Sequence, residues 1–337
     1  MMFSGIVGHA PQRDVLARAL ARGAVHPAYL FSGPPGVGKR LVALELARAW
    51  LCQRGEAGAC GACGSCRAVG VGSHPDFLVQ GCEEGKKSIG VKAIHHLTDW
   101  LFLSPAWGCR KVALVDPADA LTDDAANALL KTLEEPPPGR VVILVSTRPG
   151  GLPATVRSRC QHLAFGPLAD EEVAETLRRN GWPAQAARQA AALAEGSPGA
   201  ALARDGKAWL ESAEAVRAVL EALERGERGA ALAVAERLGE GRERVILALQ
   251  ALLAFARRAA RGRLGAVAED TPRLLQRLGA EELGQLMAGA LEVHRRLEGD
   301  RPPNAKLALA TLLLGCVPGP RAPAGAAAAA GGGGGRP

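Results

Sequence analysis

Aromatic residues are scarce in this 337-residue chain: Phe, Trp and Tyr together make up 4%. A platform on which nucleic-acid bases stack is therefore a poor expectation. No apolar run reaches the ~20 residues that a membrane-spanning helix needs. The longest, residues 245–256, is interrupted by Gln250. The first twelve residues have neither the charged start nor the apolar stretch of a secretory signal. The expected compartment is the cytoplasm, with no membrane partner, and there thiols stay reduced. The eight cysteines are accordingly read as metal ligands or core residues before disulfides. A large excess of one charge is also missing. Lys+Arg at 41 against Asp+Glu at 34 leaves +7, a basic surface that permits nucleic acid without requiring it.

What is present suits a folded protein. Hydrophobic residues at 48% and charged residues at 22% exclude global disorder. At roughly 100–200 residues per domain the length suggests two or three domains. Residues 1–165 alternate short apolar runs (28–31, 77–79, 112–115, 141–145 and 163–165) with helical patterns such as 39–51 and 125–135. That alternation predicts an α/β domain built on a parallel sheet covered on both faces. Thr122, Asp123 and Asp124 suit a helix start, and Pro136 to Pro138 end that helix. Residues 166–205 read as a small helical unit, with amphipathic stretches at 170–179 and 184–193 and a break at Gly196-Ser197-Pro198-Gly199 before 200–203. Residues 206–317 read as all-helical, with apolar spacing as in Val245, Leu249, Leu252 and Ala256, and carry no visible chemistry. Residues 318–337 contain only Ala, Gly, Pro and Arg, and a disordered tail is expected there.

Three motifs carry chemistry. Gly33-Pro34-Pro35-Gly36-Val37-Gly38-Lys39 fits the G-x-x-x-x-G-K loop, which turns backbone N–H groups toward phosphates while its Lys reaches the outer ones. It follows a strand-like run and precedes a helix, as such a loop must; a plain Gly-rich turn is the competing reading. Magnesium coordination needs a hydroxyl directly after the Lys. Arg40 stands there instead. In the second motif, the run 112–115 ends in Asp116, the place of a metal-directed carboxylate. Pro117 follows, and Pro cannot accept a proton from water. The bland alternative is an Asp that merely ends a strand. In the third, Cys52, Cys60, Cys63 and Cys66 are separated by seven, two and two residues. Four thiolates with C-x-x-C steps make a closed tetrahedral zinc site, which is structural because no coordination position stays open. His74 follows the fourth Cys and is read as structural, and Cys82, Cys109, Cys160 and Cys316 as core or incidental residues.

Together these residues resemble the bacterial DNA polymerase III clamp-loader family. The stretch from Asn127 to Pro137 (NALLKTLEEPP) and the triplet Ser158-Arg159-Cys160 look like its hallmark segments, and residues 26–38, the cysteine insertion and Asn304 to Leu307 also fit. The resemblance covers nearly the whole of residues 3–317. It implies an AAA+ domain with a RecA-like parallel sheet over 1–165 with the zinc module at 52–66, a helical lid over 166–205 and an all-helical collar over 206–317.

The resemblance also implies roles. Gly33, Gly36, Gly38, Lys39 and Asp116 mark a degenerate nucleotide site for ATP or ADP. Arg159 would be the arginine finger lent to a neighbour's ATP site, against the alternative of a capping Arg. Ser146 and Thr147 match a phosphate-sensing position. A hydrolysing gamma/tau-like motor subunit would carry Thr, Glu and Arg where this chain has Arg40, Pro117 and Gly199. The three departures point to a non-motor member with little or no ATPase of its own. Such a member would stand beside gamma/tau and delta subunits in a hetero-pentamer that loads a sliding clamp onto primed DNA. An ATP-hydrolysing motor is the alternative reading, and a zinc-ribbon nucleic-acid binder a third.

Overall fold

The computed structural model describes residues 3, 5–55, 58–203, 206–227, 229, 232–233, 242–263, 271–299 and 303–316. The expected tail, 318–337, lies outside them. The chain divides into two compact units, Met1–Ala203 and Arg204–Pro337.

In the first unit, five strands alternate with helices. They are β1 (Ala28–Ser32), β2 (Phe77–Gln80), β3 (Lys111–Val115), β4 (Arg140–Ser146) and β5 (Gln161–Ala164). All pair in parallel, in the order β2-β3-β4-β1-β5. β1 and β3 are buried along their whole length, which explains their nearly continuous apolar sequences. Successive side chains of β1 enter opposite faces. Tyr29 and Phe31 join Leu16, Val42, Leu46 and Phe165 in one core layer, while Ala28 and Leu30 join Ile94, Leu97, Leu101 and Leu129 in the other.

The helices of this unit are α1 (Ala10–Ala21), α2 (Lys39–Trp50), α3 (Gly64–Gly70), α4 (Val91–Phe102), α5 (Asp123–Glu134), α6 (Ala154–Arg157), α7 (Asp170–Arg179), α8 (Ala184–Leu193) and α9 (Pro198–Leu202). Thr122 caps α5 by accepting from the Ala125 N–H at 3.2 Å, as its sequence suggests. α7 and α8 run over the residues that amphipathic spacing predicts. Two expectations shift. The fifth strand starts two residues before its apolar run and ends one before it, because pairing of Tyr29 with Gln161 through Ser32 with Ala164 sets its register. As an edge strand it carries the exposed polar His162, which apolar patterning overlooks. The helix after Gly196 starts at Pro198 rather than Ala200, since Ser197 caps it and Pro suits a first turn.

The described part of the second unit is helical: α10 (Gly206–Glu224), α11 (Arg242–Gly262), α12 (Arg273–Arg277), α13 (Ala280–Glu298) and α14 (Ala305–Gly315). Val245, Leu249, Leu252 and Ala256 are buried along α11, the stripe that their spacing predicts. Trp209 of α10 and Phe255 of α11 are the largest fully buried side chains among the described residues of this unit. No helix among the described residues is long and apolar enough to cross a membrane.

Candidate functional site

The Gly-rich loop joins the C-terminal end of β1 to the start of α2, the crevice where open α/β sheets bind ligands. Gly38 caps α2 in a left-handed conformation. Lys39 is buried, and its Nζ donates to the carbonyls of Gly33 and Pro34 at 2.7 Å each. Burial lowers its pKa, while Asp116 and Asp119 work in the opposite direction. The ammonium is therefore held by its own loop.

Arg40, one residue on, reaches across to β3's end. Its Nη1 lies 2.9 Å from Asp116 Oδ2. The carboxylate suited to a divalent metal is thus paired with a guanidinium. Pro117, the next residue, cannot itself accept a proton.

The helical elements after β5 lie directly on the loop. Ser197 Oγ donates to the Pro35 carbonyl at 2.9 Å, and the Gly199 N–H to the Gly36 carbonyl at 2.9 Å. A Cβ on Gly199 would come within 2.7 Å of Gly36 Cα and 2.9 Å of its oxygen. Gly36, at φ +73°, would meet Ser197 Oγ at 2.4 Å. The absence of an Arg at 199 thus has a steric account: in this arrangement no side chain fits there.

Ser146 ends β4 and Thr147 follows it. Spacing alone does not show that both are bound to Asp119. That carboxylate accepts from Ser146 Oγ at 2.5 Å, Thr147 N at 2.6 Å, Thr147 Oγ1 at 2.7 Å and Arg148 N at 3.2 Å. Burial pushes its pKa up, but these donors together bring it below the usual carboxylate value. The two residues that the resemblance assigns to phosphate sensing are thus engaged by a carboxylate of the same chain.

Arg159 lies in the turn between α6 and β5. Its Nη2 pairs with Glu134 Oε1, and its Nη1 donates to the Thr155 carbonyl at 2.9 Å. Arg157 does different work. Its Nη1 donates to the carbonyls of Pro149, Gly150 and Leu152, closing the turn before α6.

The four cysteines converge. Cys52 follows α2, Cys60 lies in the loop, Cys63 caps α3 and Cys66 sits in its first turn. Their sulfurs all lie within 4.8 Å of one another. Cys52 and Cys63 are 4.0 Å apart, and Cys60 and Cys66 3.9 Å. A tetrahedron of Zn–S bonds of ~2.3 Å has edges of about 3.8 Å, so the spacing fits. The Cys63 and Cys66 N–H groups point at Cys60 Sγ and Cys63 Sγ, at 3.3 and 3.4 Å. Burial opposes ionisation of Cys63, but N–H groups of Cys66 and Gln53 pull it down to about 6. Burial pushes Cys66 up to about 12. A soft divalent cation is what would let this buried thiol ionise beside the others.

His74 is not among these ligands. Its Nδ1 accepts from Asp76 N at 3.0 Å, and its Nε2 lies 2.8 Å from Ser65 Oγ, which donates to the Leu51 carbonyl at 2.6 Å. The ring thus ties the cysteine loop to the start of β2.

A family model described as "DNA polymerase III, delta subunit" matches residues 8–169. The delta-prime subunit of DNA polymerase III from Pseudomonas aeruginosa is 39% identical over 194 residues, which cover 56% of this chain and 58% of that protein. The Escherichia coli (strain K12) delta-prime subunit is 37% identical over 195 residues, 57% of this chain and 58% of the relative. The tau subunit from the same organism is 35% identical over 176 residues, 52% of this chain and 27% of tau. The chain thus spans less than two thirds of the length of these curated relatives. Over residues 8–169 the chain is thus similar to clamp-loader subunits of DNA polymerase III, the delta-prime subunits among them.

Proposed function

We propose that the chain serves as a delta-prime-type, non-motor subunit of a DNA polymerase III clamp loader. It would stand in a hetero-pentamer with gamma/tau and delta subunits and help place a sliding clamp on primed DNA. Three parts share the work in this reading: an ATPase-like domain over 1–165, a lid over 166–205 and a collar over 206–317. The Arg40–Asp116 ion pair carries the reading. A cation fixed on the acid that should hold magnesium removes the local means of neutralising a leaving phosphate. Pro117 in the place of a general base and glycine at position 199 act in the same direction. The loop formed by Gly33, Gly36, Gly38 and Lys39 would at most hold ATP or ADP without turning it over.

Arg159 is the group that would act on chemistry, in a neighbour's site rather than its own. A guanidinium supplied in trans offsets charge on the transferred phosphoryl and is worth about 10³–10⁵ in rate in comparable systems. Cys52, Cys60, Cys63 and Cys66 would hold one zinc ion, which supplies a structural cross-link between α2 and α3.

The experiment is a steady-state ATPase assay on the isolated chain, with Lys39→Ala as its control. The expected turnover does not rise above that of the control. Lys39-dependent hydrolysis at a motor's rate would overturn the reading in favour of a gamma/tau-like motor, which the intact G-x-x-x-x-G-K loop and the match to tau favour.

A further inference from the structure

Glu134 is the last residue of α5, at the negative end of the helix dipole, where a carboxylate is unfavourable unless a cation lies beside it. The cation is Arg159, brought there by the packing of α6 against α5. The backbone on both sides of Arg159 is anchored. Arg157 is bound to three carbonyls, and Cys160 packs partly buried against the core layer that holds Leu129 and Val156. Within the turn, Arg159 N donates to Val156 O at 3.2 Å and Cys160 N to Arg157 O at 3.3 Å. What remains adjustable is the Arg159 side chain, and two acceptors fix it: the Glu134 carboxylate and the Thr155 carbonyl.

We propose that Glu134 is a positioning residue for Arg159, aiming its guanidinium out of the α5–α6 corner toward a neighbouring subunit's phosphates. The inference rests on the finger role proposed for Arg159. A guanidinium has five N–H groups. Glu134 and the Thr155 carbonyl engage two, so three are left for phosphate oxygens while both anchors stay in place. A planar fork held at two points loses less freedom on meeting its target than a loose side chain does. Glu134 therefore contributes order and not contact with substrate.

Two measurements test this. In the isolated full-length chain, Arg side-chain ¹⁵N resonances are recorded, with that of Arg159 assigned by its loss in Arg159→Ala. Glu134→Gln is expected to shift the Arg159 signal and Glu134→Asp to leave it closer to wild type. In the complex reconstituted with gamma/tau and delta subunits, Glu134→Gln is expected to lower kcat roughly 3–10-fold with KM for ATP little changed. Glu134→Asp is expected to recover part of that loss. Thermal unfolding of each variant serves as the folding control, and Arg159→Ala/Glu134→Gln is expected to be no slower than Arg159→Ala. If Arg159→Ala leaves the complex's rate unchanged, the finger role falls and Glu134 has nothing to aim. If Arg159→Ala slows the complex but Glu134→Gln does not, or if the Arg159 resonance ignores Glu134→Gln, the positioning role alone falls.

Discussion

Asp119 lies three residues beyond Asp116, in the turn that follows β3, and binds the end of the adjacent strand through both side-chain oxygens. Its folded-state pKa lies below the value it has in an open chain, so the unfolded chain takes up the proton first as pH falls. The stabilisation is therefore complete above about pH 4 and is lost as pH drops through the folded value. Asp119→Ala should cost about 2 kcal/mol near neutrality, a magnitude expected for several hydrogen bonds to a partly buried charged group. Urea unfolding at pH 7, 4 and 3 checks this: the gap between wild type and variant should close as the pH falls. An equal gap at all three would remove the charged state as the cause. The sequence shows Ser146 and Thr147 as a motif but not their partner, because Asp119 is 27 residues from Ser146 and parallel pairing of β3 with β4 brings them together. The same holds for Arg40 and Asp116, separated by 76 positions. The residue type at position 40 announces a missing hydroxyl, yet only the fold shows where its charge goes.

At the scale of elements, signals within a single segment were legible and those made by packing were not. α7 and α8 carry their boundaries in amphipathic spacing, and the cysteine loop declares itself by its C-x-x-C steps. The close approach of Ser197 and Gly199 to the Gly-rich loop depends on how α9 lies over β1's end, and no local pattern encodes it. α3 illustrates the coupling between the two kinds of signal. It is seven residues long, too short to be stable alone, and is held by Cys63 at its cap, Cys66 in its first turn and Ser65 bonded to the end of α2. Metal loss should therefore unravel α3 first. Elemental analysis of the purified chain should give about one zinc per molecule, and Cys60→Ser should lower both that content and the melting temperature. Fully stable metal-free protein would refute the zinc assignment.

For the molecule as a whole, the two units differ in what they offer. The sheet unit holds every candidate site named above, whereas the described part of the second unit is a set of amphipathic helices without such a cluster. In the function proposed above these helices would form the collar that joins subunits. Co-expression with gamma/tau and delta subunits, followed by native mass measurement, should give a hetero-pentamer containing this chain. Recovery of the chain only by itself would end the clamp-loader assignment. Within the sheet unit, Arg40 has a consequence for timing. Magnesium arrives and departs with each nucleotide, but a covalently attached counter-ion cannot leave. The acid of β3 is thus neutralised once, at folding, and in the clamp loader proposed above any clock would have to be kept by other members.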